Sequence, residues 1–455
     1  MDDYRKWHLA RAKLDAMNLP VSGSREAIMD SNRSGRRRFL ERGAALAGLA
    51  VGAGLPASAQ EGESAAREVK PKGPFPYGER SRFVTVGRTN DYSKSVFQGM
   101  FGPRQNAPLQ DVTGNITPAA VHFVRSHSTL PDTDPQKYRL LIHGMVDRPL
   151  SFSLDELKRL PSESRIHFLE CQGNSSPGHH GHKKLEFATV QDLHGGTSCS
   201  EWTGVPLSVL FKETGLQKGG NWLVSEGADA GRFTYTLPLA KALDDVMVVY
   251  GQNGEPVRPD QGYPVRLLVP GWEGPYSVKW LRQIKVVDQP YMAWDEAMQH
   301  SISRPDLGDK ARWYHFEMPV KSLITRPSGG QTLAGKGFYE ISGLAWSGAG
   351  LIRRVEVTTD GGKTWKDAKI QGPVHRKAHT RFTFPWTWDG GEAMIASRAT
   401  DERGDVQPSI EELSKHWGIP SQDSWEHADH AFHFNAIQRW RLTSDGSIHD
   451  AMFAS

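Results

Sequence analysis

Cysteine is nearly missing from this chain: there are two among 455 residues, Cys171 and Cys199. Two thiols allow at most one disulfide, which excludes a disulfide-stapled scaffold. No Cys-x-x-Cys-His occurs, so the chain cannot attach a c-type haem. Tight Cys/His pairs of zinc-site spacing are also missing. The apolar stretch Ala44–Leu55 is too short and too rich in Gly and Ala to span a bilayer, so no membrane anchor is expected. Charge of one sign is not in excess. Formal net charge is +3, and residues 1–59 carry 10 Lys/Arg against 6 Asp/Glu, which leaves −1 for the rest. That balance gives no electrostatic case for binding nucleic acid. Internal repeats and long low-complexity tracts are absent.

What is present is ordinary globular composition, 38% hydrophobic and 24% charged, over a length that suggests two domains. Residues 1–59 read as a leader. "SGRRRFLERG" carries consecutive arginines before Phe39 and Leu40, a weakly apolar stretch follows, and Ala57–Ala59 offers a small-residue cleavage site. This resembles a twin-arginine export signal, and a periplasmic destination is expected. Met29 makes a more typical start, so residues 1–28 need not be translated.

Residues 60–114 are an N-terminal arm whose first part is polar and rich in Pro and Gly. Residues 115–314 mix short strands and helices irregularly, which suggests an α+β domain. "SLDELKRLP" opens with Ser153 and has Glu156 three residues on, a capping box. "PLSVLFKETG" is a helix with Pro206 at its start and Gly215 at its end. "VMVVYGQNGEPV" reads as a hairpin about Asn253–Gly254. Residues 315–455 alternate as strands joined by turn residues, the pattern of an all-β, immunoglobulin-like sandwich.

Cys171 ends the strand pattern "RIHFLE" and precedes a glycine-containing loop, "QGNSS". The residues alone leave four readings open: buried filler, a disulfide with Cys199, a nucleophile or a metal ligand. "GHHGH" nearby, with His179, His180 and His182, would serve a cysteine hydrolase or a zinc site, but it reads more simply as a solvated loop.

The ordered strings "HFVRSH", "FLECQGN", "YPVRLLVPGWEGPYSVKWL" and "GLAWSGAG…VEVTTDGGKTW" resemble the sulfite oxidase family of molybdopterin enzymes. Within it, "ECQGNSS" and "SCSEWTGVPLSVLF" look most like the molybdenum subunit of periplasmic sulfane dehydrogenases. The resemblance implies a molybdopterin-binding domain of sulfite oxidase fold followed by a dimerisation domain, hence a homodimer. It implies that Cys171 ligates molybdenum, to which a soft thiolate is suited. It implies that Arg125 faces an oxyanion, which a guanidinium can hold bidentately. Cofactor contacts carried over by position are His127, Ser128, Thr129, Leu130, Pro131, Asp229, Gln261, Arg266, Ser277, Val278 and Lys279. Cys199 has no ligand role and reads as a small buried thiol.

Two departures bear on substrate. Ser175 and Ser176 stand where many sulfite oxidases have arginine. The stretch Met292–Ile302 has no tyrosine where the family has one, and Gln299 or His300 comes nearest. The resemblance therefore implies oxidation of sulfane sulfur on a carrier-protein cysteine in thiosulfate oxidation. With no haem motif in this chain, a cytochrome c subunit is the expected electron acceptor. The alternatives are a sulfite dehydrogenase acting on free sulfite and, from another class, a cofactor-free exported β-sandwich that binds a partner.

Overall fold

The structure, a computed structural model, describes residues 87–90, 104–176, 188–302, 312–419, 425 and 433–453. The expected leader, most of the arm and the three histidines of "GHHGH" lie outside the described residues. In the first half the main strands are β1 (Arg104–Asn106), β2 (Val124–Arg125), β3 (Leu140–Gly144), β4 (Leu150–Phe152), β5 (Glu163–Glu170) and β6 (Thr197–Pro206). They continue as β7 (Trp222–Gly227), β8 (Thr234–Pro238), β9 (Met247–Gln252), β10 (Arg266–Leu268) and β11 (Leu281–Val287). One sheet runs β9, β6, β5, with β10 also on β9; another runs β4, β3, β11, β7, β8. Between β3 and β11 the pairing is parallel, and β5–β6 and β7–β8 pair antiparallel.

Local chemistry explains several boundaries. Helix α1 (Leu154–Arg159) begins where the Ser153 side chain accepts from Glu156 N and Glu156 reaches back, the reciprocal cap expected from sequence. Helix α2 (Val190–His194) has a second such box, Thr189 with Asp192. Helix α3 (Leu207–Thr214) starts after Pro206, and Gly215 ends it at φ 70°. At the tip after β9, Asn253 and Gly254 have φ 51° and 77°, the two left-handed residues of a tight hairpin turn. Residues 104–112, at the end of the arm, are ordered: β1 pairs with β2, and Ala107 and Leu109 are core residues.

The second half is built on two antiparallel sheets. Strands β12 (Lys321–Arg326), β13 (Gly337–Trp346) and β15 (Thr380–Trp388) form one. Strands β14 (Ile352–Thr358), β16 (Ala393–Asp401), β17 (Arg439–Leu442) and β18 (Ile448–Asp450) form the other. A helix, α4 (Ile410–Trp417), lies between β16 and β17 in the chain, capped by Ser409 and closed by Gly418 in the left-handed region.

The two halves share an apolar core. Phe168, Cys199 and Trp202 of β5 and β6 pack in one cluster with Trp346, Phe382 and Trp440 of the second half. Each buried tryptophan contributes several kcal/mol at ~25 cal/mol per Å² of apolar area, before the entropy of ordering is counted. Strand β5 is thereby fixed along its length, and its last residue, Glu170, delivers Cys171 at a defined place.

Candidate active site

Cys171 is half-buried at the end of β5. Its N–H donates to Gly196 O (2.9 Å), and its carbonyl accepts from Asn174 N (2.9 Å), which closes the following turn. The Asn174 amide oxygen accepts from Gly196 N at 3.0 Å. Gly274 passes so close that a Cβ there would lie 2.6 Å from Glu170 O. Cys171 lines a cleft that opens to solvent.

Several chain segments line that cleft. Arg125 at the end of β2, Ser126 and His127 form one wall. Cys171 and Leu169 form another, with Asp229 and Phe233 beside the β7–β8 turn. Gln261, Arg266, Ser277, Val278 and Lys279 complete the pocket together with Trp280 and His300. The positively charged lining groups Arg125, Arg266 and Lys279 thus face a single lining carboxylate, Asp229.

Each cation is held in a specific way. Arg266 is buried and donates to Gln261 O (3.1 Å) and Ser277 O (2.9 Å). Burial pulls its guanidinium down to about 9. Lys279 donates from Nζ to Ser126 Oγ (2.7 Å) and Asp260 O (2.9 Å). Burial, then the charge of Arg266, brings Lys279 down to about 7. Among the described residues neither cation has a carboxylate at ion-pair distance, so both can serve an anionic ligand. Burial lowers Arg125 too, opposed by the Cys171 charge beside it and reinforced by Arg104. His127 is driven to about 2, first by burial and then by Arg125, His300 and Lys279; it is a neutral imidazole.

Around His127 the wall is aromatic. Its ring stacks on His300 (5.7 Å, 19°) and meets Phe233 edge-on (4.7 Å). His300 Nδ1 is hydrogen-bonded to the hydroxyl of Tyr235, a buried β8 residue.

Of the residues expected at the site, Arg125, His127, Cys171, Asp229, Gln261, Arg266, Ser277, Val278 and Lys279 line one cleft. Ser128 supports it indirectly by donating to Asp229 Oδ2 at 2.6 Å. Thr129, Leu130 and Pro131 are not among the residues that line it; Thr129 is exposed, and Leu130 and Pro131 are half-buried. Ser175 and Ser176, which stand where many sulfite oxidases have arginine, do not line this cleft. Both are buried outside the cleft lining, and Ser175 Oγ is engaged below the loop by Lys321 and His194. Cys171 and Cys199 are both free, which removes the disulfide reading. Cys199 is fully buried opposite Phe168, and burial raises its thiol to about 12. Arg104, Phe233 and Trp280 were not legible beforehand. Arg104 lies opposite Arg125 in the β1–β2 ladder, and only that pairing brings it near.

The chain resembles known proteins over both halves. The model of the oxidoreductase molybdopterin binding domain matches residues 127–294, and that of the Mo-co oxidoreductase dimerisation domain matches residues 312–424. The solved sulfane dehydrogenase SoxCD from Paracoccus pantotrophus is 37% identical with a TM-score of 0.77, over 87% of this chain and 99% of that one. Mitochondrial sulfite oxidase of Rattus norvegicus is 32% identical over 64% of this chain and 57% of its own length. Nitrate reductase [NADH] 2 of Phaseolus vulgaris is 31% identical over 66% of this chain and 38% of its own length. The chain thus spans about half the length of these curated relatives, or less.

Proposed function

Because the chain belongs to the sulfite oxidase family of molybdopterin oxidoreductases, we propose that it oxidises sulfane sulfur carried on a protein cysteine, in thiosulfate oxidation. The observation that carries this reading is the likeness to a sulfane dehydrogenase over 99% of that chain. A cytochrome c subunit is the proposed electron acceptor and the periplasm the proposed compartment. The leader and the missing haem motif support these. The second half reads as an immunoglobulin-like sandwich that pairs two copies, in keeping with its two antiparallel sheets and the dimerisation-domain match.

The residues present fit a molybdopterin cofactor. Three cations against one carboxylate suit a phosphate-bearing ligand, and a phosphate would restore the charge of Lys279 that burial removes. Arg266 and Lys279 would hold that phosphate. Asp229 and Gln261 supply a carboxylate and an amide for the pterin's polar edge, and the neutral His127 and Phe233 supply its apolar wall. The Cys171 thiolate would hold the metal. When bound, the molybdenum cofactor supplies two-electron oxidation of sulfur, with oxygen drawn ultimately from water. Arg125, at the end of β2 in the cleft wall, would receive the anionic oxygens that develop on sulfur.

A second reading, dehydrogenation of free sulfite, is favoured by Arg104 beside Arg125, since a small dianion needs several fixed charges. The test is kcat/KM for sulfite and for a carrier protein bearing a cysteine persulfide, with cytochrome c as acceptor. The carrier-bound substrate is expected to be used at least tenfold better. Equal or better use of free sulfite would transfer the assignment to sulfite. Protein without molybdenum or turnover would favour the partner-binding alternative.

A further inference from the structure

A buried polar chain lies beneath the Cys171 loop, and the proposed chemistry does not use it. Glu170, one residue before Cys171, is completely buried, and both its carboxylate oxygens are engaged from the second half. Lys321 of β12 donates from Nζ to Oε1 at 2.9 Å. Trp346 of β13 donates from Nε1 to Oε2 at 2.7 Å. The loop adds a third donor, Asn174 Nδ2 to Oε1 at 2.8 Å.

Lys321 also reaches the other end of the loop. Its Nζ donates to Ser175 Oγ at 2.7 Å. Ser175 has φ 67°, a left-handed conformation that costs a non-glycine residue energy and persists only when held. His194 Nδ1 lies 2.6 Å from the same hydroxyl, and His194 Nε2 lies 2.9 Å from Gln438 Oε1. Gln438 points its NH₂ at Arg439 O and Asp450, so its oxygen accepts from His194 Nε2. His194 Nδ1 is then the acceptor, and the Ser175 hydroxyl donates to it while accepting from Lys321.

A lysine this deeply buried is uncommon, and a well-packed apolar pair in place of Lys321 and Glu170 together would stabilise the core at least as well. What the ammonium gains here is geometry, because it joins the residues on both sides of Cys171. We propose that Lys321, acting through Glu170 and Ser175, is a positioning residue that sets the direction of the Cys171 sulfur in the cleft. The C-terminal half thereby takes part in forming the metal site. This rests on Cys171 as the protein ligand of the metal.

The experiment compares molybdenum-loaded full-length wild type with Lys321→Met, Ser175→Ala and Lys377→Met. Lys377 pairs with Asp245 across the two halves at 2.6 Å but contacts neither Glu170 nor Ser175. Molybdenum per chain, the Mo(V) electron paramagnetic resonance g-values, kcat, KM and Tm are measured. Lys321→Met is expected to shift the g-values and lower kcat about ten- to a hundredfold with KM little changed, as for a misplaced reacting group. Ser175→Ala shifts them in the same direction by less, and it decides the matter if Lys321→Met fails to fold. Lys377→Met lowers Tm alone. Unmoved g-values in both loop variants, or an equal shift in Lys377→Met, would overturn the proposal. Wild type that binds no molybdenum would remove the ligand reading and this proposal together.

Discussion

The two cysteines of the chain lie in opposite environments. Cys171 stands at a strand end in a cleft with Arg125 beside it, while Cys199 sits on the neighbouring strand inside the core. Serine is nearly isosteric with cysteine but a poor ligand for a soft metal. Cys171→Ser should leave a folded protein with almost no turnover and little bound molybdenum, checked by metal content, Tm and kcat. Cys199→Ser should keep turnover. With its thiol raised to about 12, Cys199 should also resist iodoacetamide at neutral pH in the native protein, where thiolate is the reactive form. Rapid native labelling of Cys199, or full activity in Cys171→Ser, would contradict these assignments.

At the scale of elements, strand ends and turns place the chemistry. Cys171 follows directly on β5, the end of β2 carries Arg125, and the segment after β10 carries Ser277, Val278 and Lys279. Trp280 then takes φ 52° while its Nε1 donates to Pro259 O (2.9 Å), which ties this segment to the one that holds Gln261. Helices serve mainly to cover sheets, so their caps affect stability more than catalysis. Ser153→Ala removes the α1 cap and should lower unfolding stability by about 1 kcal/mol, with kcat unchanged, because α1 does not line the cleft. A urea titration beside an activity assay checks both parts. The capping box and the Asn253–Gly254 turn were legible in sequence because each is set by neighbouring residues. Helix α4 was not, although Ser409 and Glu412 form the same box. Its eight residues lie in a region dominated by strand alternation.

At the scale of the whole molecule, the two halves share one apolar cluster, and the second half reaches the cysteine loop through Lys321 and Trp346. The proposed function sends the electrons to a separate cytochrome c, because the sequence carries no Cys-x-x-Cys-His for a c-type haem. The purified chain should show no haem absorbance. Once reduced by substrate, it should reduce an added cytochrome c and nothing before substrate is added. A stable c-type spectrum from the chain alone would contradict this.

The sequence by itself determined the alternating strands, the caps, the hairpin turn, the pairing of an α+β half with a β-rich half, and Cys171 as the residue to watch. These follow from local rules: period-two patterning, side chains that reach their own backbone, and left-handed turn residues. Only the tertiary structure decided which residues meet. It buried Ser175, set Arg104 opposite Arg125, and joined Glu170 to Lys321, 151 positions apart. Such meetings depend on sheet register and on how two apolar faces interlock. A one-residue shift in register moves every side chain to the other face, and linear patterning fixes the face of a strand without naming its partner.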